Sequence, residues 1–474
     1  MRQLNPIDAT FLLNDTERSP SNASSIWVYQ RKPRQRKPGF NEVFAHIRRC
    51  GSLLAPFRMK LAHVPAGLDR PWWVEDDRFD LRYHARSVAL PQPGNWDAFR
   101  RLVSDLHAAP LDLARPLWEL YVIEGLDEIA GLQPNAFAVL LKAHHAAMDG
   151  KASLAITKVL HDAGSAASGN ESGWAATQPP PSSLNLLGRG TVNLALKPLR
   201  SLQALAGLAP GLSRQLLHRE RRRGSSGLVP RTRFNGEIGA GRIIDTCFVE
   251  LDKLKRIRRR VHGATLNDVA LTVFGGALRR YLALHSELPE APLRAMTPVA
   301  LRSEAGREEI GNNITGMVVT MASDIEDPLE RLAVIAADSE ASKRSMHLLG
   351  MDAVGDLLDA IPAPLMATGM KLARQFGRLG LTGTINTVVS NAAGSRETQE
   401  LLGAPMVLST GAGPLMDGIG LLNYMTSYAD TAAFGYTACS KMMPDSERYT
   451  QCINESIDDA WKRAVADEGT GPQA

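Results

Sequence analysis

The stretch LKAHHAAMDGKAS, Leu141–Ser153, places two adjacent histidines after an apolar run, with an aspartate and a glycine shortly behind them. The preceding segment NAFAVLLKA, residues 135–143, is apolar and unbroken, as is typical of a buried strand. Behind the motif, small and aliphatic residues recur at helical spacing, at Ala152, Ala155, Ile156, Val159, Leu160 and Ala163. We therefore predict a strand-to-helix turn, on which rigidly held side chains keep free tips.

The histidine pair suggests acid–base chemistry. A histidine has an ordinary pKa near 6.5, so its neutral ring can take a proton from an alcohol that attacks a carbonyl. General-base help of this kind typically gives ~10²–10⁴-fold in rate. One ring is enough for this task. On an extended backbone the adjacent side chain points the other way, so the second ring is expected to pack or to form hydrogen bonds.

Two other interpretations of the motif are open. His144, His145 and Asp149 could bind a metal, but helical zinc motifs space their histidines at i and i+4, and adjacent rings on an extended chain diverge. We therefore expect no metal. A purely structural pair of core histidines is the other interpretation, and the Asp149-Gly150 pair at this spacing makes it the less favoured one.

The composition is that of a soluble globular protein large enough for two domains. The chain has 474 residues, of which 44% are hydrophobic and 22% are charged. The net charge of +4 is too mild to indicate nucleic-acid binding. The four cysteines, Cys50, Cys247, Cys439 and Cys452, show no C-x-x-C spacing, which fits a reducing cytoplasm. We find no pattern of a signal peptide or membrane span.

Composition changes divide the chain into four parts. We predict an N-terminal half at 1–163, a linker with a Leu- and Arg-rich helical segment at 164–230, a C-terminal half at 231–465 and a tail at 466–474. Strand and helix patterns alternate in both halves, which predicts a mixed α/β protein. Between Thr191 and Arg223, Pro198 and Pro210 are expected to break any single long helix. This segment is either a lipid-facing hairpin or a helical cover over one domain.

Several motifs together resemble one family. The motif H-H-x-x-x-D-G, at His144, His145, Asp149 and Gly150, is the active-site signature of the chloramphenicol-acetyltransferase-like superfamily. Its surroundings resemble the bacterial wax ester synthase/diacylglycerol acyltransferase family. The further landmarks, in the family's order, are LNPIDATFLLND near the start, P-L-W-E at 116–119, N-D at 267–268, TPVALR at 297–302 and S-N-x-x-G at 390–394. The glycine motif departs from the family's S-N-V-P-G by reading S-N-A-A-G, and a P-M-H-like segment near the start is replaced by SPSNASSIWVYQ.

The resemblance implies a fold, a reaction and its participants. The fold would be two chloramphenicol-acetyltransferase-like halves with open mixed sheets around a central tunnel. Acyl-CoA and an acceptor, either diacylglycerol or a long-chain alcohol, would meet at His145 as the general base and give triacylglycerol or wax ester. No metal or cofactor is implied. Apart from the resemblance, we expect the cytoplasmic enzyme to attach peripherally to the inner membrane or to lipid inclusions, because its substrates lie in lipid and the segment 191–223 is rich in leucine. Electrostatic attraction to an anionic surface is expected from Arg214, Arg219, Arg221, Arg222 and Arg223.

The other site residues each have two interpretations. Asn267 and Asp268 act directly or belong to a capping box that starts at Thr265. Trp118 contacts substrate or, as we favour, forms a wall of the core. Ser390 and Asn391 stabilise the oxyanion or form an Asx-type turn before Gly394.

The role of the motif aspartate is also open. Asp149 either orients His145, as in a catalytic triad, or holds the loop by pairing with a cation. The superfamily resemblance implies an arginine partner, and Arg302 in TPVALR is the candidate. Gly150 would belong to the same structural set.

Two different functions compete with O-acyl transfer. Condensation-type amide formation uses the same base, but it needs an amine acceptor and a carrier-bound donor, and P-L-W-E argues against it. The second is a non-catalytic lipid-binding protein that uses RERRRG, residues 219–224, as its contact. The natural acceptor, the acyl-chain length and the oligomeric state are not determined by the sequence.

Overall fold

The structure, a computed structural model, describes residues 1–31, 38–50, 55–134, 136–147, 157, 159–161, 179–217, 229–300, 314–349, 358–375 and 383–466. Several predictions lie outside these residues: the roles of Asp149, Gly150 and Arg302, the basic stretch 219–224, the C-terminal tail and most of the linker and of the helix behind the motif.

The N-terminal elements alternate between strands and helices. They are β1 (Arg2–Gln3), α1 (Pro6–Asn14), β2 (Asn22–Tyr29), α2 (Phe40–Arg49), β3 (Met59–Ala62), β4 (Trp72–Glu75), α3 (Leu81–His84), β5 (Ala85–Ala89), α4 (Trp96–Ala108), β6 (Trp118–Leu126) and β7 (Ala136–His144).

The later elements begin with a long helix. They are α5 (Ser183–Leu217), β8 (Arg242–Glu250), α6 (Leu251–Arg259), α7 (Leu266–Leu284), β9 (Arg294–Ala300), β10 (Ile314–Thr320), α8 (Pro328–Leu349), α9 (Ala363–Gln375), β11 (Thr387–Ala393), β12 (Glu400–Leu401), β13 (Ala404–Ala412), β14 (Leu421–Tyr428), β15 (Thr431–Cys439) and α10 (Ser446–Ala466).

In the described part of the chain, these strands form two six-stranded mixed sheets and one small sheet. The strand order is β12-β13-β2-β7-β6-β5 in the first sheet and β10-β9-β11-β14-β15-β8 in the second, and β1-β4-β3 form the small sheet. The predicted mixed α/β class with two sheet-containing halves is confirmed.

The central strand β7 explains why the segment before the histidines is continuously apolar. All nine residues of β7 are buried, because α2 and α4 cover opposite faces of the first sheet. Val139 and Leu141 pack with Val43 of α2, whereas Ala138 and Leu140 belong to the cluster that contains Phe99 of α4. The strand is therefore fixed on both faces, and it carries the histidine pair at its C-terminal end.

One strand from the predicted C-terminal half, 231–465, lies in the first sheet. Strand β13 comes from that part of the chain, yet it pairs antiparallel with β2 and completes the first sheet, with Thr410 opposite Ile26. The hydroxyl of Thr410 also lies 2.9 Å from that of Thr246 and 3.2 Å from that of Tyr424, both in the second sheet. Strand β13 thus links the two sheets, and the bounds 231–465 stay a prediction.

The prediction that prolines break the Leu-rich segment is wrong. Helix α5 runs through both Pro198 and Pro210. An interior proline removes one backbone hydrogen bond and costs about 3 kcal/mol. Around Pro198, α5 is held by contacts with the rest of the protein; Asn193 donates to Asp69 at 2.7 Å, and Ser201 donates to the carbonyl of Ala360 at 2.9 Å.

Candidate active site

The backbone places the histidine pair at the junction of β7 and the following turn. His144 is the last residue of β7; it lies opposite Asn22 of β2, and its N–H donates to the carbonyl of Leu117 at 3.0 Å. The N–H of His145 donates to the carbonyl of Ser21 at 2.7 Å, and Ala147 closes the turn onto His144 at 2.8 Å. The predicted strand end therefore carries His144, and His145 begins the turn.

The ring of His144 is fully buried, and both of its nitrogens are engaged. Its Nδ1 accepts a hydrogen bond from the Ala146 N–H at 3.1 Å, and its Nε2 lies 3.1 Å from Oδ2 of Asp15. Because Nδ1 is an acceptor, the proton of the neutral ring is on Nε2 and is donated to Asp15. His144 is thus a hydrogen-bonding residue inside the fold.

His145 has a different environment. Its ring stacks on Phe11, with ring centroids 4.1 Å apart and planes inclined by 18°. Burial, together with the neighbouring His144 ring, lowers the pKa of His145 to about 4. Desolvation penalises the charged imidazolium, so the ring is neutral at physiological pH and able to accept a proton.

An N-terminal segment that motif analysis left without a role holds this pair. Helix α1 begins after Asn5, whose side chain accepts from the Ile7 N–H at 2.9 Å, and has Pro6 in its first turn. It presents Phe11 to His145 and ends just before Asp15, which reaches His144. The only sequence signal was the family-like stretch LNPIDATFLLND, which contains both residues but shows nothing of their partners.

A buried ion pair lies beside the histidines, and sequence analysis missed it too. The ammonium of Lys142 lies 2.8 Å from Glu119, and it also donates to the carbonyls of Leu106 and Ala109 at 3.0 Å each. Burial raises the pKa of the Glu119 carboxyl, but Lys142 and the Tyr121 hydroxyl outweigh this effect and the net pKa is lowered. The pair joins β6 and β7 and binds the C-terminal carbonyls of α4.

Trp118 lies in the core. Its side chain is 4% exposed, its indole N–H donates to the carbonyl of Phe57 at 2.6 Å, and its ring stacks on His84 with centroids 4.6 Å apart. These contacts occupy the ring and favour the architectural interpretation over contact with substrate. The P-L-W-E motif nevertheless borders the site, since the carbonyl of Leu117 binds the backbone of His144.

Asp268 takes the capping role that the spacing T-x-x-D predicts. Its Oδ2 accepts from the Thr265 N–H at 2.8 Å and from the Thr265 hydroxyl at 2.7 Å, and its own N–H donates to Thr265 Oγ1 at 3.3 Å. Asn267 is in the first turn of the same helix, α7. Helix α7 packs in the large core cluster of the second sheet.

Ser390 and Asn391 lie within strand β11, so the predicted Asx-type turn is wrong there. Ser390 is opposite Tyr424 on β14, and Asn391 is exposed. Gly394 follows the strand; its N–H donates to the Ser427 carbonyl at 2.9 Å, and a Cβ at this position would approach that oxygen to 2.2 Å. The glycine of S-N-A-A-G is required by this close backbone approach. The oxyanion role of Ser390 and Asn391 stays a prediction.

The described residues contain neither a candidate metal site nor a helix that could span a membrane. No three His, Cys, Asp or Glu side chains converge there on a metal position. None of the helices in these ranges is long and apolar enough to cross a bilayer.

Comparison with known proteins now identifies the family. The model of the wax ester synthase/diacylglycerol acyltransferase catalytic domain matches residues 4–270, and that of the family's C-terminal domain matches residues 310–460. The chain belongs to this family. A Mycobacterium tuberculosis protein assigned as a diacylglycerol O-acyltransferase is 30% identical over 94% of this chain and 87% of its own length. The O-acyltransferase WSD of Acinetobacter baylyi is 29% identical over 96% of both chains.

The fold comparison agrees with the sequence comparison. The solved wax ester synthase/diacylglycerol acyltransferase from Marinobacter aquaeolei VT8 has a TM-score of 0.70 at 23% identity, covering 98% of this chain and 100% of that one. The family resemblance inferred from the motifs is confirmed, and the chain is an O-acyltransferase of the wax ester synthase/diacylglycerol acyltransferase type.

Proposed function

We propose that the enzyme transfers a fatty acyl group from acyl-CoA to diacylglycerol or a long-chain alcohol, with His145 as the general base. The neutral ring of His145 takes the hydroxyl proton while the alcohol oxygen forms a bond to the thioester carbon. Collapse of the tetrahedral intermediate breaks the carbon–sulfur bond, and the imidazolium returns its proton to the departing CoA sulfur. The products are an ester and free CoA, and the steps balance without metal or cofactor.

The different environments of the two histidine rings support this proposal most directly. His144 has both ring nitrogens in hydrogen bonds within the fold, whereas burial keeps the His145 ring neutral with a pKa of about 4. A neutral imidazole at the start of a turn that follows a buried strand can accept a proton, as a base must. Its stack on Phe11 limits its rotation.

The acceptor class is tested with purified enzyme and palmitoyl-CoA, following free thiol release. We expect release with hexadecanol or dioleoylglycerol and none above background with hexadecylamine. Amine-dependent release with both alcohols inactive would favour the condensation-type alternative. Lipid binding without thiol release from any acceptor would favour the non-catalytic one.

We also propose that helix α5 attaches the enzyme to a membrane or a lipid inclusion. The first half of α5 turns polar side chains toward the protein and apolar side chains toward solvent. This is the reverse of the usual arrangement in an amphipathic helix. Lys197 is 2% exposed and donates to the Asp359 carbonyl, while Asn193 and Ser201 bind on the same side. Four apolar side chains on the other side are 43–67% exposed: Val192, Leu196, Leu199 and Leu202.

This arrangement fits an interfacial helix. A helix of a soluble protein normally turns its leucines inward, and an apolar stripe exposed to solvent marks an interaction surface. Two leucines of α9 are also exposed, Leu365 at 63% and Leu372 at 47%. The lipid-facing interpretation of the segment is therefore favoured over the helical cover. The side chain of Arg214 and residues 219–223, which were expected to add electrostatic attraction, lie outside the described part.

A further inference from the structure

One short segment contacts both the histidine pair and the second half of the protein. This connecting loop, Asp15–Ser21, joins α1 to β2. At its two ends Asp15 Oδ2 lies 3.1 Å from His144 Nε2, and the Ser21 carbonyl accepts from the His145 N–H at 2.7 Å. The ends of the loop thus bind both members of the pair.

The middle of the connecting loop contacts the second half. The Ser19 hydroxyl donates to the Leu415 carbonyl at 2.7 Å, and Arg18 donates to Asp417 at 2.8 Å and also pairs with Glu237. In return, Arg242 of β8 donates to the Arg18 carbonyl at 2.7 Å. These partners all follow α5 in the chain.

Internal hydrogen bonds make the connecting loop stiff. Thr16 and Ser19 exchange two backbone hydrogen bonds, at 3.3 and 3.0 Å. Asp15 Oδ1 accepts from the Ser21 N–H at 3.1 Å, and the Ser21 hydroxyl donates to the Phe11 carbonyl at 2.9 Å. A displacement of Arg18 is therefore transmitted to Asp15 and Ser21 rather than absorbed between them.

We infer that Asp15 is a positioning residue for acyl transfer, and that the connecting loop makes its position depend on the contact between the halves. By accepting the Nε2 proton of His144, Asp15 leaves Nδ1 as the acceptor for the Ala146 N–H. That bond fixes the turn on which His145 stands. The inference rests on the proposed role of His145 as base.

The first test compares Asp15→Ala with Asp15→Asn. Displacement of a reacting group by about 1 Å can cost ~10²-fold in rate, so Asp15→Ala should lower kcat by about 10- to 100-fold while KM for palmitoyl-CoA changes less than about twofold. Asp15→Asn keeps one of the two acceptor oxygens that Asp15 uses and sets its NH2 against the other donor, so its kcat should lie between those of the wild type and Asp15→Ala. Unchanged kcat in Asp15→Ala overturns the inference.

A spectroscopic readout separates this inference from the proposed function. Imidazole nitrogen NMR, assigned with His144→Gln, should show His144 neutral with its proton on Nε2 in the wild type and a changed signal in Asp15→Ala. A proton on Nδ1, or a signal that Asp15→Ala leaves unchanged, overturns the inference whether or not the enzyme is active. Correct His144 signals in a protein without transferase activity would instead refute the proposed function.

The second test addresses the link between the halves. Arg18→Gln removes the pairs with Asp417 and Glu237, and its matched control is Arg463→Gln, which breaks a 2.9 Å pair with Asp327 at similar exposure on α10. We expect Arg18→Gln to lower kcat by more than about twofold with KM unchanged, and the control to keep wild-type values. Wild-type kcat in Arg18→Gln, or an equal loss in the control, overturns the cross-half dependence.

Discussion

At the scale of single residues, the ring of His145 combines a 4.1 Å stack on Phe11 with a pKa lowered to about 4. A base with a lower pKa is weaker toward the alcohol proton, but it stays in its reactive neutral form over a wider pH range. The adjacent His144 donates to Asp15 and accepts from Ala146. Adjacent positions, one at the end of β7 and one in the following turn, thus give two identical side chains different chemistry.

The lowered pKa predicts the acid limb of the rate profile. The kcat/KM of the wild type should fall by half near pH 4 rather than near pH 6.5, since only the neutral ring accepts a proton. Phe11→Ala should move this midpoint upward, because water then solvates the imidazolium. The measurement is initial thiol release after pH jumps short enough to precede unfolding. A wild-type midpoint near pH 6.5 would refute the assignment of this pKa to the base.

The sequence motifs predicted only part of the site. The spacing H-H-x-x-x-D-G located the histidines, and T-x-x-D gave the capping role of Asp268, because both patterns are local in sequence. The partners of Asp15 and of Glu119 were missed. Asp15 meets His144 across 129 positions of the chain, and a single acidic residue in a loop carries no local pattern that reveals such a partner.

At the scale of elements, helices and strands with strong periodicity were predictable. The segment NAFAVLLKA, predicted as a strand, matches β7 within one residue. The pairing of β13 with β2 was not predictable, because an apolar strand fits either sheet and only long-range contacts select one. Helix α5 was mispredicted since proline propensity is local, whereas packing against the protein decides the outcome.

Helix α5 predicts a membrane-binding phenotype. Replacing Leu196, Leu199 and Leu202 together by serine should reduce flotation with anionic phospholipid vesicles, since burying one leucine side chain stabilises by about 1.5–3 kcal/mol. Wild-type binding should weaken with salt if the basic residues near α5 contribute. The control is Leu284→Ser with Leu402→Ser, at positions 53% and 38% exposed on other elements.

Flotation unchanged in the triple variant, or an equal loss in the control, would contradict attachment through α5. Binding that does not depend on salt would be consistent with attachment through the leucines of α5, but it would exclude a contribution from the basic residues.

At the scale of the whole molecule, the contact between the halves buries titratable groups. His107 of α4 is 2% exposed, lies 2.9 Å from the Ser24 hydroxyl through Nδ1, and contacts Gly413 in the crossing between the sheets. Burial, with Arg242 and Lys142 nearby, lowers the pKa of His107 to about 3. Folding therefore holds His107 and His145 in the uncharged form.

These two lowered pKa values predict loss of stability in acid. Above pH 6.5 both histidines are neutral in the folded and unfolded states and contribute nothing. Below pH 6.5 the unfolded chain binds protons that the folded protein excludes, so the free energy of unfolding falls as the pH drops. The full loss is on the order of 3–5 kcal/mol for each residue once the folded pKa is reached.

Urea unfolding at pH 7.5, 6.5, 5.5 and 4.5 measures this dependence. His107→Gln should flatten the decline, whereas His63→Gln, which alters an exposed histidine, should not. Equal slopes in the wild type and in His107→Gln would contradict the buried neutral state of His107.

The central claim is that His145 is the base of the acyl transfer, and the most direct measurement is the rate of CoA release by purified His145→Ala. With palmitoyl-CoA and the better of the two acceptors, kcat/KM should fall by ~10²–10⁴-fold, while the melting temperature stays close to that of the wild type. A folded His145→Ala protein that releases CoA at near wild-type rate would contradict the claim.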